Sequence, residues 1–277
     1  MNFFPDGLGY PGLLGDDMLS GPLYSHGDIW YVDSANGAGF DGVGWGCKER
    51  PFSTILFAVT QVAMGDIIVL APTHQESLIA PLFIPMGVCI VGAGNVNGVP
   101  SPRITVTGVG GYTAPLGGGG GYYTQIHNVH FCASTASPAA GFYLELGGDM
   151  RLQGCQFDVG ALDLVSAVTM SNDPTWAAYI WDSTFLVVSH NHAGGFPTRG
   201  LYLPDPFNDR YLKMKGVTFD GGTDGFSIAG ADLSEIALIN LHAWDITMSH
   251  GADMWIHADT LGFIHNLTCT GGAKVTW

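Results

Sequence analysis

Three aspartates, Asp158, Asp182 and Asp220, have the residue type and spacing for acid–base chemistry on a sugar. Glycoside hydrolysis uses two carboxyl groups about 5 to 9.5 Å apart, the separation depending on mechanism. Neighbouring strands of a sheet lie about 4.8 Å apart, so aligned carboxylates on nearby strands could meet that demand. Asp158 and Asp220 each follow the final Phe of a repeated segment, two repeats apart, which sets them about 10 Å from each other. Asp182 lies earlier in its repeat. Aspartate at a strand-ending turn is also an ordinary turn former, so these are candidates without a catalytic assignment. His190 and His192 offer two metal donors but lack a third ligand, and no metal site is expected. His127, His130, His242 and His265 alternate with apolar residues, which points them to solvent or to corners. Trp176, Trp181, Tyr202 and Phe207 could stack on sugars or pack between subunits; subunit packing is the favoured reading.

The elements that must carry these residues are repeats. One pattern recurs six times: apolar, two variable residues, a smaller or apolar residue, one variable residue, apolar. The copies begin at Ile126, Leu152, Ile180, Met214, Leu241 and Ile264 and end at Phe131, Phe157, Phe185, Phe219, Ile246 and Cys269. Their ends are 26, 28, 34, 27 and 23 residues apart. A second, weaker strand follows most copies, at Gly141–Leu144, Ala167–Met170, Gly200–Leu203, Gly225–Ile228 and Asp253–Ile256. Strands recurring at such a period, joined by Gly, Asn, Asp and Pro turns, predict a coil stacked on itself, with equivalent positions forming one core. A sandwich also has short strands at short intervals, but it gives no reason for the second strand to track the first.

Composition narrows the partners. Only 12% of residues are charged while 47% are hydrophobic, so a sizeable core is available. The net charge is −15, with 9 Lys+Arg against 24 Asp+Glu. Phosphate neutralisation needs clustered cations, so nucleic acid is not an expected partner. An acidic surface also disfavours anionic membranes, and no run of 18 apolar residues is present. The start, Met1-Asn-Phe-Phe-Pro, lacks the basic and apolar regions of a secretory signal. The five cysteines, Cys47, Cys89, Cys132, Cys155 and Cys269, lack metal-type spacing and read as small buried side chains in a reducing cytosol. No cofactor is expected.

Residues 1–28 mix aromatic and aliphatic residues with Pro and Gly, a composition for an extended arm that orders against another protein surface. Its contact candidates are Phe3, Phe4, Leu8, Tyr10, Leu13 and Leu14. Residues 29–277 form the coiled domain. Ile29–Val32 predicts a strand, a Gly-rich loop follows, and apolar residues at 55, 58, 59, 62 and 63 predict a helix near 53–64, stopped by Gly65. Ile67–Leu70 then predicts a buried strand. Two long Gly/Pro/aromatic loops, 107–121 and 189–199, interrupt the stack.

Tyr31-Val-Asp33, the Gly-rich loop, Pro51-Phe-Ser-Thr-Ile55, Ala58-Val59, Gly65-Asp-Ile-Ile-Val-Leu-Ala-Pro72 and Glu76 resemble the N-terminal capping segment of right-handed parallel β-helix proteins of the pectate-lyase-like type. The resemblance covers residues 31 to about 92 by motif, and the repeats match by period. Thr73-His-Gln-Glu76 departs from the family's usual turn and alters the first corner. The implied fold is all-β: a right-handed parallel β-helix with an N-terminal capping α-helix and an extended arm. The polygalacturonase patterns Gly-His-Gly and Arg-x-Lys do not occur, adjacent aspartates occur only at Asp16-Asp17 outside the repeats, and no Arg and Asp cluster resembles a pectate-lyase calcium site. In architecture the chain resembles bacteriophage β-helix proteins. That implies a homotrimer on the virion surface, made in the host cytoplasm, decorating the capsid and contacting the major capsid protein or another virion protein through the arm. The alternative is a tailspike-like polysaccharide depolymerase or a glycan-binding module.

Overall fold

A computed structural model describes residues 27–78, 82–85, 87–96, 99–106, 124–133, 142–144, 150–160, 166–170, 176–187, 199–203, 210–220, 224–228, 239–249, 253–255, 261–270 and 275–276. The arm candidates Phe3, Phe4, Leu8, Tyr10, Leu13 and Leu14 lie outside the described residues, as do His190, His192, Phe207 and the loop 107–121. The described chain is mostly strand, arranged in parallel sheets, with one helical turn. No helix among the described residues is long and apolar enough to cross a membrane.

Apart from the short antiparallel pair Asn95–Val96 and Val99–Pro100, the strands form three ladders. The first stacks Ile29–Val32, Ile67–Leu70, Cys89–Gly92, Thr124–His127, Met150–Gln153, Trp176–Trp181, Arg210–Lys215 and Ile239–Ser249. The second stacks Gln75–Leu78, Arg103–Val106, His130–Ala133, Gln156–Gly160, Thr184–Val187 and Thr218–Asp220, and joins the far half of Ile239–Ser249. The third stacks Phe142–Leu144, Ser166–Met170, Arg199–Leu203, Asp224–Ile228, Asp253–Trp255 and Val275–Thr276. Every pairing within them is parallel, and each joins segments one repeat apart. The third ladder is the weaker strand of the sequence pattern, with Phe142, Val168, Leu201, Phe226 and Met254 in register.

The repeated motif was expected to be one strand, giving two strands per repeat. It is two strands meeting at a corner, and each full repeat has three. The corner is the motif's third position, occupied by Asn128, Gly154, Asp182 and Gly216, all with φ between 48° and 63°. Only Gly, Asn and Asp enter this left-handed region readily, which explains the residue types found there. The ladder of hydrogen bonds continues through the corner: the N–H groups of Asn128, Gly154 and Asp182 donate to Gln153, Trp181 and Lys215 carbonyls at 2.9, 2.9 and 2.8 Å.

On either side of the corner, alternate side chains point inward. Ile68, Ile90, Ile126, Leu152, Ile180 and Met214 share one register row, and all are buried. Val129, Cys155, Ser183 and Val217 are buried just past the corner. The polar one is satisfied: the Ser183 hydroxyl donates to the Trp181 carbonyl at 2.9 Å and accepts the Cys155 N–H at 3.2 Å. Each buried aliphatic side chain contributes about 1.5 to 3 kcal/mol.

Register also corrects the fifth copy of the motif. Met214 pairs with Ala243, and Phe219 with Met248, so this copy runs Ala243–Met248 and not Leu241–Ile246. The two frames differ by two residues, which leaves every side chain on the same face, so alternation alone cannot separate them. Here the corner is drawn out, and Ile239–Ser249 is one strand serving both ladders.

The first repeats are closed by carboxylates. The helix expected near 53–64 is the single turn Ile55–Ala58. Thr54 caps it, its hydroxyl accepting the Phe57 N–H at 3.1 Å. Beyond Ala58 the chain tightens to three-residue bonds, Thr60 N–H to the Phe57 carbonyl and Gln61 N–H to the Ala58 carbonyl, and the Thr60 hydroxyl also donates to the Phe57 carbonyl. These bonds compete with a continuing helix. Asp41 accepts the Ser53 and Thr54 N–H groups and the Thr54 hydroxyl. Asp66 accepts the Asp28 and Ala63 N–H groups and the Trp30 indole N–H. Glu76, in the departing first corner, accepts the Ile55 N–H at 2.6 Å. The fully buried His74 accepts the Ser34 N–H on Nδ1, which leaves its Nε2 proton facing Glu76 at 3.2 Å, off the ideal hydrogen-bond direction.

Candidate functional site

His130, Cys132 and Asp158 come together on the outward face of the second ladder. His130 and Cys132 are two residues apart on one strand, so they share a face. Asp158 pairs in register with Cys132 on the next strand. The Cys132 Sγ lies 3.1 Å from His130 Nε2, and Asp158 Oδ2 lies 3.8 Å from the same nitrogen. On the opposite face, Phe131 and Phe157 stack with centroids 5.3 Å apart and rings 8° from parallel, which holds the two strands in register. Cys132 is 2% exposed, whereas the His130 and Asp158 side chains are 15% and 39% exposed. The cluster therefore has a closed sulfur end and an open carboxylate end.

Electrostatics separate His130 from its neighbour His127. Burial by itself would lower the His130 pKa, but the Asp158 carboxylate and the Cys132 sulfur outweigh it and push it up to about 9. His127 lies on the outward face of the first ladder. Burial, reinforced by the Arg151 charge, pulls its pKa down to about 3 against a Gln153 hydrogen bond. Its placement points His127 to solvent or to a corner; it lies beside the Asn128 corner and is buried, with its Nε2 3.2 Å from Gln125 Oε1.

That burial belongs to a wider feature. On the outward face of the first strands, Ile67, Val69, Cys89 and Val91 form a buried cluster, with Ile29, Tyr31 and Ala93 packed against it. Along the same register rows the residues turn polar, to Gln125, His127, Arg151 and Gln153. Burial pushes the Cys89 thiol well above its ordinary range and the Cys155 thiol up to about 12, so both are inert. Cys47 and Cys269, expected to be buried, are exposed, and all five cysteines are free.

The other sequence candidates are dispersed. Asp158 and Asp220 share a register row, with Leu186 between them, so one whole strand separates them. Asp182 sits at an exposed corner with φ 48°, where partial burial raises its pKa and Lys215 lowers it. Trp181 is 4% exposed, and the Arg151 guanidinium lies 4.6 Å from its ring centroid, so one ring face is already occupied. Trp176 pairs with Arg210, and Tyr202 with Thr169 and Ser227.

Sequence reasoning missed the His130–Cys132 half of the cluster, since alternation places the histidine at solvent or a corner and the cysteine reads as a small buried side chain. A signal was present. Asp158 follows Cys132 by 26 residues, the same interval that separates Phe131 from Phe157, and one repeat length is what brings side chains into lateral contact. Comparison of the chain with known protein families, with curated proteins and with solved structures finds no match to any of them.

Proposed function

We propose that the three ladders wind as a right-handed parallel β-helix, with Ile55–Ala58 and its flanking turns as an N-terminal cap, and that this β-helix is a structural bacteriophage virion protein. In this reading it is a homotrimeric capsid decoration, made in the host cytoplasm and displayed on the virion surface. Residues 1–28 attach it to the major capsid protein or another virion component. The observation that supports the reading is the set of parallel ladders, in which segments one repeat apart pair strand by strand. On the outward face of the first strands, Ile67, Val69, Cys89 and Val91 are buried, as Ile68, Leu70 and Ile90 are inside. These side chains are already buried in the isolated chain, so this face is covered by protein of the same chain and is not a free docking surface. It adjoins the point where residues 1–28 enter the first strand.

The test is deletion of residues 2–28. Light scattering of the deleted chain should still give a trimer, and the trimer should fail to bind particles. Particle binding that survives the deletion overturns the anchoring role, and a monomeric intact chain overturns the decoration reading.

A polysaccharide depolymerase is the second reading. Its candidate pair, Asp158 and Asp220, shares a register row at about 10 Å across two strand spacings, beyond the span of inverting pairs, so the geometry ranks it below the first reading. It requires reducing ends to be released from bacterial capsule or lipopolysaccharide, and the release to stop in Asp158→Asn and Asp220→Asn.

A further inference from the structure

We propose that His130, Cys132 and Asp158 bind a divalent transition-metal ion of the zinc class. The inference stands on this cluster and is independent of the virion reading. An imidazole nitrogen, a sulfur and a carboxylate oxygen lie within 4.8 Å of one another. With metal–ligand bonds of about 2.0 to 2.3 Å, neighbouring ligand atoms of a tetrahedral zinc site lie about 3.3 to 3.7 Å apart. The separations from His130 Nε2, 3.1 Å to Cys132 and 3.8 Å to Asp158, bracket that range. The remaining separation, from the Cys132 sulfur to the Asp158 carboxylate, is at most 4.8 Å, so closing on a cation would draw the more exposed Asp158 inward by no more than about 1 Å.

The donor set selects the ion. Sulfur with imidazole suits zinc, whereas calcium and magnesium take shells of oxygen. Three protein ligands leave a fourth position for water, and the exposed edges of His130 and Asp158 provide the entry path. Because the ligands come from two strands one repeat apart, the ion would tie consecutive repeats together.

The rival chemistry for these residue types is a thiol–imidazole–carboxylate relay. A relay needs the thiol on one ring nitrogen and the carboxylate on the other, so that the imidazole accepts one proton while being oriented through the second. Here both partners face Nε2. Convergence on a single nitrogen is the arrangement of ligands around a shared ion.

The full-length protein, stripped with a chelator and kept reduced, is titrated with Co2+ as the spectroscopic probe. The expected result is one equivalent bound per chain, with sulfur-to-cobalt charge-transfer absorption and the intense visible bands of a tetrahedral ion, all displaced by Zn2+. Cys132→Ser should abolish the charge-transfer band. His130→Gln and Asp158→Asn should each weaken Co2+ binding by at least about tenfold. The Cys47→Ser, Cys269→Ser double variant should bind as the parent does. Circular dichroism identifies the variants that fold, and only those are scored. An intact chain without the charge-transfer band overturns the proposal. So does a band that persists in Cys132→Ser or vanishes in the double variant. If Cys132→Ser does not fold, parental affinity in folded His130→Gln or Asp158→Asn overturns it equally.

Discussion

The strands from Ile29 to Gly92 and those from Thr124 to Asp220 belong to the same parallel ladders, yet they are held together by different means. In the first region, single carboxylates reach across 12 to 38 residues to backbone N–H groups: Asp41 to Ser53, Glu76 to Ile55 and Asp66 to Asp28. In the second, a recurring corner residue and recurring inward side chains do the work at each turn. The outward faces differ as well, apolar and buried in the first region and turning polar at Gln125, His127, Arg151 and Gln153 at the start of the second. The lesson is that repetition spreads stability over equivalent positions. The end of a stack has no preceding repeat to pair with, so it depends on individual bonds that nothing replaces.

The sharpest way to break the comparison is at the seam. Gly92 ends the last apolar strand, and a Cβ placed on it would overlap the Asn128 carbonyl oxygen, while the Asn128 side chain donates to the Gly92 carbonyl at 2.8 Å. Gly92→Ala should therefore prevent stable folding, measured as loss of the cooperative urea transition, because backbone rather than a side chain must move.

Next come one substitution from each region. Phe157→Ala removes a fully buried ring from the stack with Phe131 and should cost about 4 kcal/mol in urea denaturation. Asp66→Ala leaves the Asp28, Trp30 and Ala63 donors without their acceptor and should cost about 3 kcal/mol. If the first region really rests on irreplaceable bonds, Asp66→Ala will approach the core deletion in severity; an effect under about 1 kcal/mol would erase the distinction.

A smaller, pH-dependent effect tests where the outward face changes character. His127 is neutral in the folded protein, with a pKa near 3 against 6.5 as its ordinary value. Between those values the unfolded chain binds a proton that the folded chain refuses. Its contribution is thus complete above pH 6.5 and is lost progressively as pH falls towards 3. His127→Gln should flatten this acid limb in denaturation curves recorded across that window. The smallest effect is expected at an exposed corner: Asp182→Asn keeps a residue that tolerates positive φ and should change stability by less than about 0.5 kcal/mol.

Much of the fold was legible in the chain. The spacing of Phe131 and Phe157, and the weaker strands after most copies, point to stacked parallel ladders, because inward positions of equivalent repeats must be apolar to share a core. The corner was legible only in part. Asn128, Gly154, Asp182 and Gly216 were counted as variable, and their common property is the backbone conformation they permit, not hydropathy. Of the candidate cluster, the sequence singles out Asp158 for acid–base chemistry on a sugar and gives His130 and Cys132 no shared role with it.

The residue types and their period by themselves determined that the chain forms strands, that they repeat, and which side chains point inward. Tertiary structure alone decided the frame of the fifth repeat, the end of the helix after Ala58 and the meeting of His130, Cys132 and Asp158. The physical reason is that alternation fixes the face a residue occupies but not its neighbour across the ladder. A two-residue slip preserves every face and changes every lateral contact, and lateral contacts are where these three side chains acquire a shared chemistry.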